Sequence, residues 1–116
     1  MARVLVADDE PLIAMIVEDW LAELQFETAG PVGSVREALA LIETTAVDAA
    51  ILDVRLIDGN SYAIAEQLQA RDIPFVFATG RGSDELDERF KNAPTLSKPF
   101  DFEGLRRALA RLLPPS

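Results

Sequence analysis

Two apolar runs of strand length stop abruptly at carboxylates: Val4-Leu5-Val6-Ala7 ends at Asp8 and Asp9, and Ala49-Ala50-Ile51-Leu52 ends at Asp53. A run that is apolar at successive positions reads as a parallel strand covered on both faces, because an exposed face would bring in polar residues at every second position. Such strands need a layer of helices above and another below. The chain is thereby directed to a layered α/β architecture with acid at the carboxyl ends of two inner strands.

The remaining segments follow the same plan, with short β-branched runs alternating with stretches whose apolar residues recur every three or four positions. Pro11 suits a first helical turn, and Leu12, Ile13, Ile16, Val17, Trp20, Leu21 and Leu24 form a stripe that predicts a first helix over 11–25. Phe26 to Ala29 predicts a short second strand. Gly30-Pro31-Val32-Gly33 then reads as a loop leading to Ser34, an N-cap with Glu37 three residues on, and a second helix through Val35, Ala38, Leu39 and Ile42. Asp58-Gly59-Asn60 predicts a turn, 61–70 a third helix, and 73–78 a fourth strand ending at Thr79, with Gly80 and Gly82 in the loop beyond. Ser83 to Phe90 is expected to form a short acidic helix. Thr95-Leu96-Ser97 makes a minimal fifth strand before Lys98-Pro99, and Phe102, Leu105, Ala108, Leu109 and Leu112 stripe a final helix ended by Pro114-Pro115. Five strands alternating with five helices predict an open parallel sheet with helices on both faces.

Composition narrows the chemistry. A length of 116 residues, 49% hydrophobic, suits one domain over 1–116 with no fused output domain. Eleven basic against 20 acidic residues give a net charge of -9, which repels nucleic acid and anionic membrane surfaces, so neither is expected as a partner. The chain has no Cys and no His, which excludes disulfides, thiolate zinc sites, thiol nucleophiles and histidine bases. Nothing near the N-terminus resembles a signal-peptide core and no run approaches membrane-spanning length, so a soluble cytoplasmic protein is expected.

In open α/β sheets ligands bind outside the carboxyl ends of the strands, and Asp8, Asp9, Asp53, Thr79 and Lys98 all fall at such ends. Carboxylates gathered there repel one another, so they either hold raised pKa values or recruit a cation. With only oxygen donors the ion would be a hard one, Mg2+ before others. Lys98 adds a movable charge and Thr79 a hydroxyl, both suited to phosphoryl oxygens. Singly, each has an ordinary structural role: Asp8-Asp9-Glu10 as helix-capping acids, Asp53 as a loop acid, Lys98-Pro99 as a turn. Their conjunction at one sheet edge is what points to a site.

These residues resemble the receiver domain of bacterial two-component response regulators over essentially the whole chain: Asp8-Asp9, then Asp53 in Ile51-Leu52-Asp53-Val54-Arg55-Leu56, Asp58-Gly59, Thr79, and Lys98-Pro99-Phe100. The resemblance implies a flavodoxin-like (βα)5 fold with strand order 2-1-3-4-5. It implies Asp53 as phosphoacceptor from a histidine kinase or histidine phosphotransferase, and Mg2+ held by Asp9, Asp53 and the Arg55 backbone carbonyl with Asp8 assisting through water. It further implies in-line transfer aided by Lys98, a Thr79 that swings towards the phosphoryl group, and a cis peptide at Lys98-Pro99. Two departures stand out: Thr95 occupies the position where the family usually has Tyr or Phe, and the interval from Thr79 to Lys98 is short, consistent with a reduced fourth helix.

Phe77-Ala78-Thr79-Gly80, preceded by Pro74-Phe75-Val76, is similar to the signature of a subgroup of single-domain alphaproteobacterial receivers, several of which act in general stress signalling. The subgroup's usual tyrosine after the glycine is replaced here by Arg81-Gly82. A stand-alone receiver is therefore expected, monomeric or weakly dimeric, a phosphoacceptor rather than a turnover enzyme, working by protein contact or as a phosphate shuttle or sink. The competing expectation is a pseudo-receiver that binds partners without switching. A third, a small flavodoxin-like enzyme or nucleotide binder, lacks a glycine-rich phosphate loop after the first strand.

Overall fold

The computed structural model describes residues 1–113. Its elements in chain order are β1 (Arg3–Ala7), α1 (Pro11–Glu23), β2 (Glu27–Val32), α2 (Val35–Thr44), β3 (Ala49–Asp53), the two-residue strands β4 (Arg55–Leu56) and β5 (Gly59–Asn60), α3 (Tyr62–Ala70), β6 (Phe75–Thr79), β7 (Thr95–Ser97) and α4 (Phe102–Leu112). Five strands form one parallel sheet in the order β2-β1-β3-β6-β7, the expected 2-1-3-4-5 arrangement.

Successive residues of a strand face opposite sides of a sheet, and the two cores follow from that period. Val4, Val6, Ala49, Ile51, Val76 and Ala78 point to one face and are covered by Val17 and Leu21 of α1 and Leu105, Ala108 and Leu109 of α4. Leu5, Ala7, Ala50, Leu52, Phe75 and Phe77 point to the other and meet Ala38 and Ile42 of α2 and Ile64, Ala65 and Leu68 of α3. Val4, Leu5, Ala49, Ala50, Leu52 and Phe77 are wholly buried, so the inner strands are apolar throughout because both faces are covered. No helix among the described residues is long and apolar enough to cross a membrane.

The structure corrects several expected boundaries. The first helix ends at Glu23, not Gln25, because Gln25 takes a left-handed conformation with φ 67°. The second strand runs on to Val32 through the predicted loop, and the pairing of β1 with β2 shifts register between Leu5↔Ala29 and Ala7↔Val32. Gly30 makes this passage possible with φ 96°, since a Cβ there would lie 2.8 Å from the Val32 nitrogen. The peptides Gly30-Pro31 and Lys98-Pro99 are both cis. The fourth strand begins at Phe75, after Pro74, and the Asp58-Gly59-Asn60 turn belongs to an antiparallel hairpin of β4 with β5.

The larger correction concerns residues 83–90, where four α-helices rather than five complete the described chain. Two separate 3-10 turns, Gly82–Glu85 and Glu88–Phe90, replace the expected helix. Gly82 at φ 60° and an extended Leu86 interrupt any continuous helical backbone, and Leu86 and Phe90 are the segment's buried anchors. Pro114-Pro115, expected to end the last helix, lie outside the described residues.

Candidate phosphoryl-transfer site

The acids meet because β1 and β3 are neighbours in register. Ala7 pairs with Leu52, so the residues that follow Ala7 and those that follow Leu52 emerge side by side at the carboxyl edge. Asp8, Asp9, Glu10 and Asp53 each place a carboxylate oxygen within 4.8 Å of the others. Asp8 is buried and Asp53 half-buried, whereas Asp9 and Glu10 are exposed. Glu10 is the member of this group that sequence reasoning did not assign to it, although it continues the Asp8-Asp9 pair directly.

Helix capping does not account for these acids. Glu10 holds the N-cap position of α1 with extended backbone, but its side chain makes no capping bond. Its N–H instead donates to Asp8 Oδ1 at 2.9 Å, which fixes the Asp8 carboxylate over the cluster. By contrast α2 is capped as expected, Ser34 Oγ accepting the Glu37 N–H, and α4 is capped by Asp101, whose Oδ1 accepts the Gly104 N–H at 2.8 Å.

Lys98 follows β7 and reaches back across the edge, its Nζ donating to Asp53 Oδ1 at 2.6 Å. Burial pushes the Asp53 carboxyl above its ordinary 3.8, with Asp8 and Asp9 adding repulsion, and the lysine only partly offsets this. Burial likewise raises Asp8. For Lys98 burial alone would lower the pKa, yet the net shift is upward, because its ammonium faces Asp53, Asp8 and Glu10 together. The asymmetry has a simple origin: Lys98 is one cation among several acids, so it gains more from them than any one of them gains from it. The expected raised carboxyl values are present, with desolvation ahead of mutual repulsion as their cause.

Thr79 ends β6 fully buried, and its hydroxyl is engaged in its own loop, donating to the Gly82 carbonyl at 3.0 Å and accepting the Arg81 N–H at 3.1 Å. Its carbonyl accepts the Lys98 N–H at 2.7 Å, so the two expected phosphoryl partners are linked through the backbone. Arg55 lies in β4 opposite Asn60 and is exposed. The Ser61 N–H donates to the Val54 carbonyl across this hairpin, which makes Arg55–Asn60 a non-hydrogen-bonded pair and leaves the Arg55 carbonyl outside the ladder. Thr95 sits in β7 half-buried, in register with Phe77.

Several carboxylates with one lysine, and no nitrogen or sulfur donor besides, make an oxygen set that fits a hard divalent cation. Beside it an apolar groove of about 330 Å³ runs between α1 and the segment after β7, lined by Ile13, Ile16, Trp20 and Phe100 together with Glu10 and Lys98.

Comparison with known proteins agrees with this geometry. Residues 4–110 match the family model described as the response regulator receiver domain. PdtaR, a transcriptional regulatory protein of Mycobacterium tuberculosis, is 32% identical over 111 residues, covering 92% of this chain and 54% of PdtaR. The chain thus spans about half the length of the curated relatives it first matches. Among solved structures, SdrG from Sphingomonas melonis Fr1 is 51% identical with a TM-score of 0.84 and 97% of each chain covered. TrrA of Thermotoga maritima, solved in complex with Mg(2+)-BeF, is 26% identical with a TM-score of 0.85, covering 97% of this chain and all of that one. With the sheet order, the acid cluster and the family match in agreement, the chain belongs to the response regulator receiver domain family.

Proposed function

We propose that Asp53 accepts a phosphoryl group from a histidine kinase or histidine phosphotransferase, and that the chain signals through contact with a partner protein or passes the phosphoryl group on. The observation that carries this reading is the 2.6 Å pairing of Lys98 with Asp53 inside an oxygen-only carboxylate cluster. Mg2+ would be held by Asp9, Asp53 and the Arg55 carbonyl, with Asp8 assisting through water. When bound, it supplies positive charge that neutralises the phosphoryl oxygens.

On this reading Asp53 is the nucleophile. Lys98 binds Oδ1, and Oδ2 has no hydrogen-bond partner among the described residues, so one oxygen is oriented while the other is open to attack. As the bond from Asp53 to phosphorus forms, the phosphorus–nitrogen bond to the donor imidazole breaks, and the electron pair leaves with the donor. Lys98 then shifts from the carboxylate to the transferred group's oxygens, and half-burial limits access of water. Thr79 follows by exchanging the Gly82 carbonyl for a phosphoryl oxygen, which releases the loop beyond β6. The donor protein reaches Asp53 over the apolar groove, whose lining includes Glu10 of the acid cluster and Lys98, the partner of Asp53.

On this reading the chain is a phosphoacceptor, not a turnover enzyme, and works in the cytoplasm as a monomer or weak dimer. The mutual coverage with SdrG, itself solved in a BeF3-activated conformation, supports a receiver that responds to a phosphoryl mimic. The Phe77-Ala78-Thr79-Gly80 signature supports a place in general stress signalling. The test is a mass shift after incubation with acetyl phosphate and Mg2+. The wild type gains a phosphoryl group only with the metal present, and Asp53→Asn gains none. No shift in the wild type, with either acetyl phosphate or a phosphorylated donor domain, would leave the non-switching pseudo-receiver as the better account.

A further inference from the structure

The acid pair Asp8–Asp9 and the hairpin that carries the proposed Arg55 carbonyl ligand come from different places in the chain, and one side chain outside the acid cluster joins them. Asp8 and Asp9 follow β1, and Arg55 lies in the hairpin beyond β3. The turn between β2 and α2 touches both. On one side the Asp8 N–H donates to the Val32 carbonyl at 2.9 Å, and a Cβ at Gly33 would rest 3.4 Å from Asp9 Cα, so this turn lies directly against the acid pair. On the other side the Ile57 N–H donates to the Gly33 carbonyl at 3.2 Å, and Asp58 accepts the Val35 N–H at 2.7 Å through Oδ1 and the Arg36 N–H at 3.2 Å through Oδ2.

Asp58 is thus a cap supplied to α2 from a distant loop, not by the helix's own leading residue. Ser34 already holds the N-cap position and binds the Glu37 N–H. Asp58 satisfies two further helix N–H groups that Ser34 does not reach, and its charge is favoured at the helix N-terminus. The hairpin it belongs to has two residues in each strand, too few to hold its own position. Its placement therefore depends on what it is tied to.

We propose that Asp58 is a positioning residue for the metal-dependent reaction: by clamping the β4–β5 hairpin to the start of α2, it sets the Arg55 carbonyl against the Asp8–Asp9 pair. This rests on the reading of that cluster as the metal site. Groups that orient metal ligands without touching the ion commonly change metal affinity about tenfold or more when removed. The clamp acts on the geometry of the ligand set, so its loss is felt as weaker metal binding and not as slower chemistry once metal is bound.

The test is a calorimetric Mg2+ titration of the full chain as wild type, Asp58→Ala, Asp58→Asn and Ser34→Ala, with acetyl phosphate labelling at increasing Mg2+. Asp58→Ala should bind Mg2+ about tenfold more weakly, with its half-saturating Mg2+ for labelling raised by the same factor and its maximal rate unchanged. Asp58→Asn keeps an acceptor for the Val35 N–H and should lie between the two, which also supplies the answer if the alanine variant does not fold. Ser34→Ala weakens the same helix without freeing the hairpin and should lose stability at wild-type Mg2+ affinity. Wild-type affinity in Asp58→Asn and Asp58→Ala, or an equal loss in Ser34→Ala, would overturn the proposal alone. A wild type with no Mg2+ affinity would overturn the metal reading and this proposal with it.

Discussion

The ring of Tyr62 lies on that of Phe90, with centroids 5.2 Å apart and planes 10° from parallel, and the Tyr62 hydroxyl accepts the Asp87 N–H at 2.7 Å. Arg89 covers both rings, 5.7 Å from the first and 5.2 Å from the second. These contacts anchor to α3 the second of the two short turns that stand in place of a fourth long helix. The position in β7 where the family usually carries an aromatic is Thr95, and the rings adjoining the loop beyond Thr79 are here Tyr62 and Phe90.

Removing only the hydroxyl tests that anchor. Tyr62→Phe keeps the stack and loses one acceptor, so it should cost about 1 kcal/mol of stability. Hydrogen exchange should quicken at Asp87 and through residues 82–90 while α1 and the central strands stay protected. Uniform loss of protection across the chain would contradict a local anchor.

Phe77 is wholly buried and meets Tyr62, Phe75 and Phe90 edge-on, with centroids at 5.9, 5.4 and 5.5 Å. Phe77→Ala should therefore lower unfolding stability by about 3–5 kcal/mol, as a cavity forms under both β6 and the 3-10 turns. Chemical denaturation of the two proteins measures the difference.

Asp8 links stability to pH in the metal-free protein. Its folded pKa lies above its ordinary 3.8 because of burial, so the folded state holds the proton more tightly than the unfolded chain. Stability from this group is present below 3.8 and is lost as pH rises through the folded value. Asp8→Asn, which retains an acceptor for the Glu10 N–H, should accordingly stabilise the metal-free chain at pH 7, because it removes a charge whose burial is unfavourable. The gain should shrink as pH approaches the ordinary carboxyl value, and thermal melts across that range would show it.

Lys98→Ala leaves the Asp53 carboxylate half-buried with only acids beside it. Labelling by acetyl phosphate at saturating Mg2+ should fall by about a hundredfold or more, the usual effect of removing a group aimed at developing charge. Labelling at the wild-type rate would show that Lys98 serves the fold and not the transfer.

Elements whose residues answer to a single strong rule were legible in the sequence. β1, β3 and β7 end where their apolar or minimal runs end, and Asp8, Asp9, Asp53 and Lys98 converge as their strand-end positions predicted. Where competing local rules meet, the reading was less complete. Gly30-Pro31 signals a loop by residue type, yet the chain continues pairing with β1 through a register shift, a decision made by the neighbouring strand. Residues 83–90 have helical composition but too few anchors, and a left-handed Gly82 divides them. Glu10 looked like a cap because it precedes Pro11, and only the geometry shows its carboxylate among the other acids. The engagement of Thr79 with Gly82 and the reach of Asp58 to α2 are tertiary facts that no spacing encodes.

In β3, Leu52 is wholly buried and Asp53, the next residue, is open to the site. The change from core to chemistry thus takes one step along the backbone, and the same holds where Ala7 gives way to Asp8. Because alternate residues face opposite layers, gain or loss of a single residue within β3 would send every later side chain of that strand to the wrong face and withdraw Asp53 from Lys98 and the other acids. Exchanging one apolar residue for another there leaves that relation intact. In these two strands it is the count of residues, more than their identity, that the chemistry holds constant.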